Sequence, residues 1–190
     1  LTGIALPGSG RHCVGGVSPL TGTISKSEVG EFWGAELKKA GFDAVIVDGK
    51  SSHPVYLWVN NGQASLRDAT NLWGKPTKET QEAIRQALGD NKIRVAMIGP
   101  AGENEVKYAC VMHGLKDAAG RGGLGAVMGS KKLKAVAVRG TQSLTVSQPD
   151  GVKTLRKWLM DNMEKFSRMR EFGTGAKMED FEKMGNLPIR

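Results

Sequence analysis

Ala118-Ala119-Gly120-Arg121-Gly122-Gly123-Leu124-Gly125-Ala126-Val127-Met128-Gly129-Ser130-Lys131-Lys132-Leu133-Lys134 is the stretch on which the reading of this 190-residue chain turns. Five glycines fall between positions 120 and 129. Backbone without side chains can approach a ligand closely and can aim several N–H groups at one anion. Arg121 offers a planar fork suited to phosphate, and Lys131 and Lys132 add charge nearby. The expected occupant is an anion or a phosphate-bearing cofactor. The other reading of such a loop is a tight connection packed against a sheet.

Gly120-x-Gly122-x-x-Gly125 has the spacing of a dinucleotide fingerprint but not its context. That fingerprint follows a strand directly, opens a long helix, and has an acidic residue about 20 positions on. Here Gly114 to Ala119 intervene after the preceding strand, the next helix is expected to last two turns at most, and Arg139-Gly140-Thr141 stand where the acid belongs. A P-loop is excluded, since no Gly-Lys-Ser/Thr follows at the required spacing.

Outward from this loop, residues 133–138 and 93–98 are apolar and read as strands, and 106–112 as another. Residues 55–59 and 64–67 form a hairpin around Asn60-Asn61-Gly62, whose turn tolerates positive φ. Ala44-Val45-Ile46-Val47 is a short strand ended by Asp48-Gly49. Helices are expected over 30–40, 77–88 and 151–170, with Thr77 a candidate N-cap, Gly41 and Gly89 closing the first two, and Leu155, Leu159, Met163 and Phe166 striping the third. Residues 1–29 read as loops and short strands, with Leu-Thr-Gly at 1–3 and again at 20–22. The pattern predicts an α+β fold with mainly antiparallel pairing: a first domain over 1–148, then the helical start of a second over 149–190.

The net charge is +8, and residues 92–140 carry most of it, with nine basic and three acidic side chains. Such a segment is either a solvated face or a surface for an anionic partner. Residues 114–139 contain no aromatic side chain, which argues against stacking nucleic acid there. Cys13 and Cys110 are too few for a disulfide framework and suit a reducing compartment, so a cytoplasmic protein is expected. No apolar run is long enough to span a bilayer. His12, His53 and His113 lack metal-ligand spacing and read as structural or exposed; Trp33, Trp58, Trp73 and Trp158 read as packing residues. No nucleophile–base pair or acid–base carboxylate pair stands out. The chain opens on Leu1 and stops at Asn186-Leu187-Pro188-Ile189-Arg190, which reads as a piece of a longer polypeptide lacking its extreme N-terminus.

The Gly-rich run from Ala118 to Lys131 resembles the signature of the aldehyde ferredoxin oxidoreductase family's N-terminal domain. Ser18-Pro19-Leu20-Thr21-Gly22, Gly34-Ala35-Glu36-Leu37-Lys38, Gly99-Pro100-Ala101-Gly102-Glu103-Asn104 and Asn186-Leu187-Pro188 keep the family order. The resemblance implies two β-sheets with flanking helices that cradle a tungsten or molybdenum bis-pterin, whose phosphates are joined through magnesium. It places Arg11, Glu28, Val29, Gly30 and Ala118, Ala119, Gly120, Arg121, Gly122, Gly123, Leu124 and Gly125 at the cofactor, with the backbone carbonyls of Glu28 and Ala118 on the magnesium. Glu28 replaces the family's usual Asn, which a main-chain ligand tolerates. Asp117 stands where some members have Arg, which removes one cation near a phosphate. The resemblance further implies a 4Fe-4S cluster and catalytic residues beyond position 190, oxidation of aldehydes to carboxylic acids, a ferredoxin or electron-transfer subunit as partner, a small organic substrate, and an oligomer with no membrane or nucleic-acid role. Three other readings stay open: the active-site subunit of a relative such as ATP-independent benzoyl-CoA reductase, a non-catalytic phosphate- or nucleotide-binding module, and a degenerate or split family member serving only as an assembly subunit.

Overall fold

The first long-range pairing joins β1 (His12–Val17) to β2 (Ile24–Val29) as an antiparallel two-stranded ribbon, His12 opposite Val29 and Val17 opposite Ile24. Side chains alternate along it, so Val14 and Val29 turn inward while Cys13 and Glu28 face out. The computed structural model of which this ribbon is part describes residues 2–187; Leu1 of the repeated Leu-Thr-Gly and Pro188 of the closing Asn-Leu-Pro lie outside the described residues.

After the ribbon come α1 (Trp33–Lys39), the hairpin β3 (Val55–Asn60) and β4 (Gln63–Asp68), and α2 (Thr77–Leu88). Asn61 and Gly62 both take positive φ, 43° and 86°, the two-residue turn expected of Asn-Gly. Next follow β5 (Arg94–Met97), the one-turn α3 (Pro100–Glu103), β6 (Val111–His113), β7 (Asp117–Ala119), α4 (Leu124–Ser130) and β8 (Leu133–Arg139). The larger sheet has the order β4-β3-β8-β5-β6-β7, and only the β3–β8 pair is parallel. The fold is α+β and mostly antiparallel.

β8 is central, and all but its last residue is buried, which is why its sequence is almost continuously apolar. Its Ala135 and Ala137 pack with Ile84 of α2, Val95 and Met97 on one face of the sheet. Val136 and Val138 meet Leu37 and Ala40 at α1 on the other. Beside them Leu124 of α4 joins Val29, Ala96, Ile98 and Val111, which closes the ribbon over the sheet. α1 is locked to the end of β8 by Glu36, whose carboxylate accepts from Gly140 N–H at 3.1 Å and from Arg139 Nη1 at 2.7 Å. This gives the Gly34–Lys38 motif a structural role.

Several local expectations need correction. Residues 44–47 form no strand: Val45 packs into the core and Ile46 is 93% exposed. The strand expected over 106–112 shrinks to β6, because Val106 and Ala109 are tied into turns to Ala101 O and Val106 O. Thr77 is the first helical residue rather than the cap, and Pro76 holds the cap position. Gly89 closes α2 at φ 71°, as Gly favours there.

The chain divides into two compact units, residues 1–146 and 147–190. The second consists of α5 (Pro149–Asp161), a 3-10 turn at Met163–Phe166, α6 (Ser167–Phe172), a further 3-10 turn and α7 (Met178–Lys183). The single helix expected over 151–170 breaks at Asn162, whose side chain donates to Trp158 O at 2.8 Å and competes with the backbone ladder. Trp158 is half exposed rather than a packing residue, and Leu155 and Phe166 of the predicted stripe are also exposed. No described helix is long and apolar enough to cross a membrane.

Candidate cofactor site

Three separate segments border the ribbon. Arg11 precedes β1, whose first pairings put His12 and Cys13 across from Val29 and Glu28. The Gly-rich loop then lies along β2: Arg121 N–H donates to Ser27 Oγ at 3.2 Å, and a Cβ on Gly122 would stand 2.3 Å from Ser25 Oγ. A Cβ on Gly30 would sit 3.5 Å from Asp117 Oδ1, so β7 begins beside the end of β2. The structure thus sets these residues along the ribbon, with Arg11, Val29, Gly30 and Asp117 toward its His12–Val29 end, Arg121 beside Ser27 and Gly122 beside Ser25.

Burial sorts these residues by what each can touch. Arg11, Glu28, Ala118, Gly120 and Arg121 are exposed, and neither arginine has an ion pair among the described residues. A Cβ added at Gly120 would meet no atom within 4 Å, so backbone there is open to a guest. Val29 and Ala119 are buried beneath. Gly123, Leu124 and Gly125 turn into the fold instead. A Cβ on Gly123 would lie 1.9 Å from Lys107 O, and one on Gly125 2.4 Å from Cys110 O. Leu124 is a core residue. The segment is two devices in series: a loop open at Gly120 and laid on Ser25 at Gly122, then a glycine helix pressed against neighbouring backbone.

Most of the basic excess of residues 92–140 is engaged within the fold. Lys131 Nζ donates to Gly49 O at 2.9 Å and Lys132 Nζ to Ser52 O at 2.6 Å, so the two lysines anchor the 49–52 loop rather than face the glycines. Lys134 is fully buried against Glu103 and also donates to Lys75 O at 2.9 Å. Arg139 bridges Glu36 and Asp90, and Arg94 bridges Glu31. The Gly99–Asn104 motif is accordingly architectural: Glu103 accepts the lysine, and Gly102 lets α3 pack on α4.

Next to the site lies a cluster that sequence spacing did not signal. His12 and His113 meet ring to ring at 4.6 Å between centroids, and Trp33 contacts both rings at 5.1 and 5.8 Å. Trp33 Nε1 donates to Val136 O at 2.9 Å, which fixes the indole. These residues are 101 positions apart at the extremes, and only the sheet brings them together. His113 is 1% exposed; burial, with His12 adding to it, pushes its pKa down to about 3 from an ordinary 6.5. The folded protein therefore keeps this ring neutral while the unfolded chain protonates it, and stability drops as pH falls below about 6.5. A loss of about 2 kcal/mol is expected between pH 7 and pH 5 from this group, read from urea unfolding at each pH. His113→Gln should flatten that slope; an unchanged slope would place the acid sensitivity elsewhere.

Among the described residues no group of three or more His, Cys, Asp or Glu side chains could hold a metal ion. Open glycine backbone and two unpaired arginines do fit a phosphate-bearing organic cofactor. Residues 1–140 match the family described as aldehyde ferredoxin oxidoreductase, N-terminal domain. The tungsten-containing aldehyde ferredoxin oxidoreductase of Pyrococcus horikoshii is 42% identical over 200 residues, covering 100% of this chain and 32% of that protein. The aliphatic sulfonate oxidoreductase, WOR-like subunit, of Pyrococcus furiosus is 40% identical over 170 residues, covering 83% of this chain and 27% of that protein. A solved structure, the active site complex BamBC of benzoyl coenzyme A reductase with 1,5-dienoyl-CoA, superposes with a TM-score of 0.84 at 45% identity, over 87% of this chain and 25% of that one. The chain spans about a third of the length of the tungsten-containing relatives it matches. With that match over residues 1–140 and that identity over the whole chain, this polypeptide belongs to the aldehyde ferredoxin oxidoreductase family, and its first unit carries the family's N-terminal domain.

Proposed function

We propose that this chain is the cofactor-binding part of a tungsten or molybdenum bis-pterin oxidoreductase that oxidises aldehydes to carboxylic acids and passes the electrons to ferredoxin or an electron-transfer subunit. The observation that carries it is open backbone at Gly120 next to Arg121, which lies on β2, whose end at Glu28–Gly30 pairs with the strand that Arg11 precedes. Residues 1–148 form the cradle, and 149–190 begin the following domain. When bound, the metal–pterin group supplies two-electron redox chemistry; the balanced conversion is aldehyde plus water to carboxylic acid, two protons and two electrons. This chain's part is to hold the group. Arg11 and Arg121 neutralise phosphate, Gly120 admits it to the backbone, Gly122 lets the loop lie against Ser25, and the carbonyls of Glu28 and Ala118 are the proposed magnesium ligands. Val29, Ala119 and Leu124 act from below, as the packed floor that keeps the loop in place.

The full reading includes a 4Fe-4S cluster held by the rest of the polypeptide, a cytoplasmic location and an oligomeric enzyme. Native protein purified without oxygen should contain a group-6 metal and release a fluorescent oxidised pterin. A preparation with neither would overturn the proposal. A second reading, an active-site subunit of a benzoyl-CoA-type reductase, is favoured by the 45% identity to the BamBC complex. Turnover of aldehydes against aromatic acyl-CoA thioesters separates the two.

A further inference from the structure

Glu31 runs against three local preferences at once. Its φ is 70°, a left-handed conformation that residues with a β-carbon rarely adopt. Three other non-glycine residues take positive φ among the described residues, and each has an ordinary place for it. Asn61 sits in the hairpin turn, and Glu105 and Lys132 each follow the residue that closes a helix, α3 or α4. Glu31 closes no helix; it stands between the end of β2 and the start of α1. Its side chain is only 12% exposed, and its Oε2 is buried with no donor among the described residues. Strained backbone and half-satisfied buried charge persist where the surroundings over-determine them, and such outliers gather at ligand sites.

Arg94 holds Glu31 in this state. It opens β5 and pairs with Val138 of the buried central strand. Arg94 Nη1 donates to Glu31 Oε1 at 3.0 Å, and the same guanidinium lies 4.9 Å over the Phe32 ring. One side chain of the larger sheet thus clamps two successive residues where the chain leaves the ribbon. Other segments touch at the same point. A Cβ on Gly10 would stand 2.9 Å from Glu31 O, so the backbone just before Arg11 lies against it. A Cβ on Gly114 would stand 3.8 Å from Glu31 Cγ and Oε1, so the turn from β6 to β7 passes beside the carboxylate. Position 31 therefore adjoins the lead-in to Arg11 and the lead-in to Ala118, and it follows Gly30 directly.

We propose that Glu31 is a positioning residue of the cofactor cradle: its ion pair with Arg94 fixes the left-handed turn after Gly30, and so sets how the Glu28–Gly30 backbone and the turn bearing Arg11 meet the cofactor. This rests on the cofactor assignment above and adds to it a residue that acts through its neighbours. With the turn released, the same backbone groups and the same arginine are present but spread over several directions. A site whose supports are loosened loses affinity even when every contacting group remains.

A purely structural pair and a positioning pair give different results in Glu31→Gly. Glycine accepts positive φ freely, so the substitution relieves the strain while it frees the turn. Full-length wild type, Glu31→Gly and Glu31→Gln are purified anaerobically with their cofactor. Metal and pterin per chain are measured under a competing chelator, and the melting temperature on the cofactor-free proteins. Glu31→Gly is expected to bind cofactor about tenfold more weakly, with a melting temperature within about 2 °C of wild type. Glu31→Gln keeps the volume and the backbone strain but loses the charge, and several-fold weaker binding is expected. Cofactor content equal to wild type in Glu31→Gly would overturn the proposal, and so would a cofactor loss accompanied by a large fall in melting temperature, which marks the pair as structural. If Glu31→Gly does not fold, Glu31→Gln decides: weaker binding at an unchanged melting temperature supports the proposal, and binding equal to wild type overturns it. Wild type that itself lacks metal and pterin is a different failure, that of the cofactor assignment, and the positioning role falls with it.

Discussion

Gly129→Ala should lower stability by about 3 kcal/mol, at the upper end of what overpacking a close contact costs. The added methyl carbon would stand 1.8 Å from Gly102 O and 2.7 Å from Gly102 C, and both are backbone atoms. Neither α3 nor α4 can step aside cheaply. α3 is followed at once by turns that tie Glu105 and Val106 back to it, and α4 is bracketed by Gly125 N–H on Ala109 O at 2.9 Å and by β8. For a chain of this size that stability loss corresponds to a melting temperature roughly 6–12 °C lower. Gly120→Ala is the control, since nothing lies within 4 Å of its Cβ position; its melting temperature should hardly move. Equal melting temperatures for Gly129→Ala and wild type would contradict the packing of α3 on α4.

Lys134→Met should have an effect of similar size for an electrostatic reason. The Lys134 and Glu103 side chains are 0% and 4% exposed, and Glu103 Oε2 also accepts from Gly74 N–H at 2.7 Å. Removing the ammonium leaves a buried carboxylate without its counter-charge, at about 3–5 kcal/mol. Glu103→Gln leaves the lysine in the same position, and its loss should be comparable. The double variant removes both charges and should lose well under the sum of the two single effects, because an apolar replacement of a buried pair is often tolerated. Denaturant unfolding of all four proteins gives the coupling. Strict additivity would mean that the pair does not interact across the α3–β8 contact.

These two sites show what the sequence made legible and what it did not. The hairpin at Asn61-Gly62, the span of α2 and the apolar β8 could be read directly, because each depends on neighbours within a few residues. The Gly-rich run was legible as a place of close backbone approach. Which glycines serve a guest and which serve packing was not, since that is decided by Lys107, Cys110 and Gly102, which lie outside the run. Lys131 and Lys132 looked like free charge beside a phosphate site, yet their partners are the backbone carbonyls of Gly49 and Ser52, 82 and 80 positions away, which have no sequence signature. His12 and His113 were dismissed for want of ligand spacing, and the sheet then brought them ring to ring. Residues 44–47 failed in the opposite sense: their strand propensity is real, but they carry no ladder, and Val45 alone of the four packs into the core.

The central claim is that the loop open at Gly120, with Arg11 and Arg121, grips a phosphate-bearing metal cofactor. Its most direct test is the metal and pterin content per chain of full-length Arg121→Ala, purified anaerobically beside the wild type. Loss of a charge-assisted contact worth about 2 kcal/mol predicts cofactor binding weakened roughly thirtyfold, with the melting temperature of the cofactor-free fold unchanged. A variant that keeps the full metal and pterin load under competing chelator would contradict the account.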